Sequence, residues 1–180
     1  MRSRDPGRTE MSGIMGCMLA PTLLCLTLLS APPEAPKAPT PTQAVNAVLE
    51  DWHQAAARAD EERYFRHFTQ DAVFLGTDGS ERWTRDEFRV WAHPFFARGK
   101  AWSFTPGARH VTFSGDGRVA WFDEALATPN LGPSRGSGVL VKDGGVWRIA
   151  QYNLSVPIPN ELLEDVKTRI EAHMKQPSKD

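Results

Sequence analysis

From residue 101 onward the chain reads as four long extended runs, 101–113, 119–127, 134–142 and 146–156. Two of the connections, Ser114-Gly115-Asp116-Gly117 and Asp143-Gly144-Gly145, carry the glycines and aspartates that tight hairpin turns require. The third, at 129–133, is longer. A meander of antiparallel strands in the second half leaves the first half to supply whatever covers it.

The first half is helical. Thr40-Pro41-Thr42-Gln43 reads as a capping box with proline at the first helical position. Behind it Val45, Val48, Leu49, Trp52 and Ala56 recur at the spacing of one helix face. Asp60 caps a short helix at 61–67 that buries Tyr64, Phe65 and Phe68. Residues 72–75 form a short strand, 76–79 a turn, and 81–83 extended chain. Thr84-Arg85-Asp86-Glu87 is a second capping box, opening a helix with Phe88, Trp91 and Phe95 that stops around Pro94. After the strands, Asn160 is placed to cap a last helix carrying Leu163, Val166, Ile170 and Met174. The fold class is α+β, a curved antiparallel sheet wrapped around N-terminal helices. Such a sheet curls like a cone, and its open end is a pocket.

The N-terminus reads as an address. Arg2, Arg4 and Arg8 precede an apolar run at 14–29, followed by a stretch rich in proline and alanine. That is the order of a signal peptide. The expected organisation is a signal peptide at 1–31, a Pro-rich linker at 32–41, the folded domain at 42–160, and a C-terminal helix and tail at 161–180. The expected location is periplasmic or extracellular, with no stable membrane span after cleavage. The alternative is an uncleaved N-terminal anchor, although the apolar run is short of the roughly 20 residues that span a bilayer.

Composition narrows the function classes. The formal net charge is −1, with no basic surplus to suggest a nucleic-acid partner. Both cysteines, Cys17 and Cys25, fall in the apolar N-terminal run, so the folded part has no disulfide, zinc–thiolate site or cysteine nucleophile. His53, His67, His93, His110 and His173 are scattered without metal-ligand spacing, and His53 and His67 read as surface helix positions. No phosphate-binding glycine loop occurs. Neither a metal nor a cofactor is expected.

Several local strings resemble the SnoaL-like branch of the nuclear transport factor 2 superfamily, the cone-shaped fold that also houses ketosteroid isomerase and scytalone dehydratase. They are Asp71-Ala72-Val73-Phe74, the Thr84 helix with Phe88, Val119-Ala120-Trp121, Gly144-Gly145-Val146-Trp147-Arg148-Ile149, and the last strand from Gln151 to Asn160. The resemblance spans 42–160 and implies the fold and a dimer across the outer sheet. It implies no single activity, because the fold hosts isomerases, dehydratases, cyclases, hydrolases and binding modules. The residues of ketosteroid isomerase do not carry over: Trp52 stands where its tyrosine donor would be, and Gly76 where its carboxylate base would be. The late-strand acid of SnoaL-type cyclases is also missing, with Gln151 and Asn153 at the polar positions.

Strand parity supplies the candidate site. On the last strand Trp147, Ile149, Gln151, Asn153 and Ser155 share one face. In 119–127 both faces are apolar, and Asp123 and Glu124 follow on opposite faces. Asp123 is the favoured pocket carboxylate, because it shares a face with Trp121; Glu124 is the alternative. Arg135, beside Gly136 and Gly138, is expected to pair with Asp123. The expected catalytic residue is therefore Asp123, with Trp52, Trp91, Arg135, Gln151 and Asn153 as ligand-binding residues. The leading expectation is a homodimeric domain that binds a small, largely apolar organic molecule in the cone. The alternatives are an isomerase, dehydratase or hydrolase using a pocket carboxylate, and a non-catalytic dimerisation module.

Overall fold

The structure is a computed structural model that describes residues 38–175. The expected signal peptide, most of the linker and the extreme C-terminus lie outside the described residues.

Both capping boxes form. Thr40 Oγ1 accepts from the Gln43 N–H, and Gln43 Oε1 accepts from the Thr40 N–H, starting α1 (Pro41–Ala57). Asp60 caps α2 (Glu61–Arg66) through the Arg63 N–H. Thr84 and Glu87 cap each other at the start of α3 (Arg85–Ala97). Pro94 does not stop α3, which runs a further three residues. The extra turn seats Phe96 among Tyr64, Phe65 and Trp102, and burial of an aromatic ring, worth about 2–3 kcal/mol, offsets the hydrogen bond that proline forgoes.

The six strands are β1 (Phe68–Leu75), β2 (Arg82–Thr84), β3 (Thr105–Phe113), β4 (Val119–Thr128), β5 (Gly132–Asp143) and β6 (Val146–Ser155). They form one sheet in the order β2-β1-β6-β5-β4-β3. Five helical and extended segments separate β1 from β6 in sequence, and this pair alone is parallel. The other pairs are antiparallel. The sheet curves over α1–α3, and its inner face closes the core around Leu49, Tyr64, Phe88, Leu140, Ile149 and Tyr152.

A short helical turn, Asn160–Leu162, leads into α4 (Leu163–Met174). Asn160 makes no side-chain cap here. The apolar stripe expected on this helix is present, but none of its residues is buried.

Alternation along β4 fixes which side chains face inward. Ala120, Phe122, Glu124 and Leu126 point into the cone, while Trp121, Asp123 and Ala125 point out. On β6, Trp147 and Ile149 point inward, and the register then slips by one residue at Ala150. Gln151 pairs with Val139 and Asn153 with Ser137. This bulge turns Gln151 and Asn153 outward and Tyr152 and Leu154 inward.

Candidate functional site

The cone holds a cavity of about 240 Å³ lined from every helix of the core and from both halves of the sheet. Trp52 of α1 and Tyr64 of α2 enter it beside Tyr152 of β6. Phe88 and Trp91 of α3, Trp83 of β2 and Trp102 complete its aromatic wall. The rings brace one another. Phe74 and Phe88 stack at 3.9 Å, Trp83 and Trp91 at 5.1 Å, and Trp52 meets Tyr152 edge-on at 4.6 Å. Rigid aromatic walls with few polar groups are the usual make-up of a small-molecule site. Among the lining residues Glu81 is the one acidic or basic side chain. A larger depression of about 510 Å³ lies on the outside of α2 and α3, but it is shallow, and its Glu61 is already held by Arg89 at 3.0 Å and His93 at 2.7 Å.

Three buried donors in this cavity's residues lack partners: the Trp52 indole N–H, the Tyr64 hydroxyl and the Tyr152 hydroxyl. Burial holds the Tyr64 phenol well above its ordinary pKa, and the neighbouring Tyr152 adds to this. The indole N–H groups of Trp102 and Trp52 oppose that rise, although neither completes a hydrogen bond to the Tyr64 oxygen. Tyr152 is raised likewise, by burial first and then by the charge of Glu124. Both phenols are therefore neutral O–H donors at physiological pH.

Behind Tyr152 lies a buried ionic cluster. Glu124 is fully buried. Its Oε1 is 2.8 Å from His53 Nε2, and its Oε2 accepts from Arg109 Nε at 2.9 Å, with Arg109 Nη2 at 2.7 Å. Arg109 Nη1 also donates to Asn46 Oδ1 at 3.3 Å. Burial alone would raise the Glu124 pKa, but the His53 hydrogen bond and the His53 and Arg109 charges outweigh it and leave the pKa lowered. An ionised carboxylate only accepts, so His53 Nε2 carries the proton of that bond. Gly136 makes the space for this arrangement. A Cβ there would collide with the Tyr152 hydroxyl and press on Glu124 Oε1.

The structure places the sequence candidates in two groups. Trp52 and Trp91 line the cavity. Asp123, Arg135, Gln151 and Asn153 do not: they lie on the outer face of the sheet, with Asp123 and Arg135 exposed. The expected Asp123–Arg135 pair is absent among the described ion pairs, since Arg135 stands opposite Ala125 and Asp123 opposite Ser137. The cause is twofold. Trp121 faces out, with 47% of its surface exposed, and the bulge at Ala150 breaks the parity of β6. Glu124, the alternative carboxylate, faces inward. His53 and His67 are also not surface residues: His53 is buried, and His67 is tucked against Asp51 at 2.7 Å. The apolar residue beside each in sequence, Trp52 next to His53 and Phe68 next to His67, is the available signal. Among the described residues no cluster of three metal-ligating side chains occurs, and no helix is long and apolar enough to cross a membrane.

With the geometry in place, comparison with known proteins identifies the class. Residues 45–159 match the family model of the SnoaL-like domain, and the chain belongs to that family. The fold is shared with a candidate dehydratase of the NTF2-like family from Streptomyces avermitilis, at 14% identity and a TM-score of 0.56, over 67% of this chain and 98% of that one. It is shared also with a candidate scytalone dehydratase from Novosphingobium aromaticivorans, at 15% identity and a TM-score of 0.54, over 65% and 84% of the two chains. An NTF2-like protein of unknown function from Pseudomonas putida matches at 14% identity and a TM-score of 0.53, over 65% and 87%. No curated protein sequence matches the chain.

Proposed function

We propose that the domain binds a small, largely apolar organic molecule inside the cone. The aromatic cavity of about 240 Å³ supports this reading. Its size lies just below the roughly 300–1,000 Å³ of sites for drug-sized ligands, which suits a molecule of one or two rings. Tetralin, a two-ring hydrocarbon, is a direct probe. Saturable quenching of tryptophan fluorescence by tetralin is expected, and Leu154→Trp, which fills the cavity, abolishes it. If neither tetralin nor a polar analogue of it binds, the cavity reading fails and a non-catalytic assembly role replaces it.

A second reading is an enzyme of the isomerase, dehydratase or hydrolase type. Its support is the Glu124–His53 pair at 2.8 Å, separated from the cavity by the Tyr152 phenol. Two of the similar structures are described as candidate dehydratases, and that class comes first to the test. Turnover that Glu124→Gln abolishes while binding persists would support it; unchanged turnover in Glu124→Gln would remove it.

The proposal extends to assembly and location. The outer sheet face, where Trp121 stands exposed among Ala125 and Val139, is offered to a second copy of the chain. The basic, apolar and Pro/Ala-rich order of the first 41 residues supports export. Intact mass of protein produced with its own N-terminus tests the latter: loss of about 31 residues is expected, and retention of all of them in the cytoplasm would overturn it.

A further inference from the structure

We infer that the cone's ligand is an organic cation, a quaternary ammonium on a small apolar body, with its head between Glu81 and the tryptophans at the cavity mouth. This rests on the small-molecule reading above and adds the chemical class. The cavity lining contains one acid, Glu81, and no lysine, arginine or histidine. None of the described ion pairs includes Glu81. Its Oε2 accepts instead from the Asp78 N–H at 3.1 Å. Gly76, also in the lining, leaves room for it: a Cβ there would collide with the Glu81 carboxyl group. Backbone alone thus holds an acid against an apolar cavity, and no side chain answers it with a cation.

The rings beside Glu81 suit a cation. Trp83 follows it by two residues, and the Trp83 and Trp91 rings stack at 5.1 Å. Trp91 is 43% exposed, which marks this end as the mouth. Phe88 and Trp102 continue the set at 5.8 Å, tilted by 30°, whereas Tyr64 stands at 80° to Trp102. The wall therefore turns a corner, as a cage around a rounded head requires. The face of an aromatic ring is the negative side of its quadrupole, and tryptophan attracts cations best.

Other charges fit less well. An anion would meet Glu81 and the rings with no basic side chain in the wall to neutralise it. A primary ammonium brings three N–H donors that need acceptors, and a quaternary head brings none. The buried hydroxyl and indole hydrogens of Tyr64 and Trp52 disfavour a cation deep in the cone, so the apolar body lies there and the head at the mouth. Glu124 plays no part in this, because Arg109 and His53 already balance it.

The test compares three ligands of one shape: benzyltrimethylammonium; neopentylbenzene, in which carbon replaces the nitrogen; and phenylmethanesulfonate, an anion. Binding is measured by calorimetry on the folded protein. The cation is expected to bind about tenfold more tightly than neopentylbenzene, and the sulfonate more weakly than either. Glu81→Gln, which keeps an acceptor for the Asp78 N–H and removes the acid, is expected to bring the ratio of the first two affinities toward one. Should that variant fail to fold, sodium chloride gives the answer in the wild-type protein, by weakening the cation and not neopentylbenzene. Equal or tighter binding of neopentylbenzene, tighter binding of the sulfonate, or a ratio unchanged in Glu81→Gln would overturn the inference but leave the cavity reading standing. So would a salt-independent ratio, where salt is the measurement used. Failure of all three ligands to bind would overturn both.

Discussion

His53 Nε2 and Glu124 Oε1 lie 2.8 Å apart across 71 residues of sequence, in a place that water does not reach. The contact ties α1 to the middle of β4, and Arg109 from β3 closes it on the other side. A helix, two strands and the wall of the cavity are thus fixed by one carboxylate.

Removing one member of this cluster is expected to be expensive. Arg109→Met leaves Glu124 buried without the guanidinium that faces its Oε2, at a cost of about 3–5 kcal/mol. Asp123→Asn and Arg135→Ala, on the exposed face, are expected to change stability by less than about 0.5 kcal/mol. Urea unfolding of the three variants checks this. If the outer-face substitutions proved the costly ones, the inward placement of Glu124 would be wrong.

Glycine substitutions test the packing behind Tyr152. Gly136→Ala is expected to cost about 1–3 kcal/mol by overpacking, because its Cβ meets the Tyr152 hydroxyl and Glu124. Gly138→Ala is expected to cost a similar amount, since its Cβ runs into the Gln151 backbone carbonyl. Gly79→Ala, with open space around it, is the control. Equal melting temperatures for all three variants would contradict the fit described at β5.

Much of this architecture is legible in the sequence, and the places where the structure departs from it have local causes. Two capping boxes, two glycine turns and the strand runs sufficed for the α+β cone, because each signal acts within a few residues. The site needed more. Whether Asp123 or Glu124 faces inward depends on Trp121, and a tryptophan looks like core whichever way it points. The side chains of Gln151 and Asn153 depend on the bulge at Ala150, which leaves no compositional mark. The burial of His53 depends on an acid 71 residues away.

Stability should also respond to pH through the clip between α1 and α2. Asp51, beside Arg63 and His67, has its pKa lowered to about 2. Its folded value lies below its unfolded one, so the stabilisation is present above pH 4 and is lost as pH falls toward 2. Solvent reaches this carboxylate, and the contribution stays below about 1 kcal/mol. His67 acts at higher pH. Burial lowers its pKa despite the opposing Asp51 contact, so the unfolded chain takes up the proton first, and stability declines as pH drops below about 6.5. His67→Gln is expected to flatten the stability profile between pH 7 and 5. A slope unchanged by that substitution would show that another group sets it.

One surface substitution and one truncation separate assembly from folding. Trp121→Asp on the outer face is expected to yield a folded monomer by light scattering, with the wild type running as a dimer at micromolar concentration. A wild-type monomer would remove the second copy from the proposal. Truncation before residue 161 deletes α4, none of whose side chains is buried, and is expected to leave the urea midpoint within experimental error.

The slip at Ala150 has a bearing on how any sequence of this shape should be matched to this one. It works as a reading frame for the last strand: with Ala150 outside the pairing one set of side chains faces the cone, and with Ala150 in the pairing the other set would. Keeping Ala150 in regular alternation would bring Gln151 and Asn153 into the cone and put Tyr152 and Leu154 against the solvent, whereas deleting it would leave Gln151 outward and Tyr152 inward. A relative that retained every side chain from 150 to 155 but paired without the slip would enclose an amide-lined chamber, suited to a different guest.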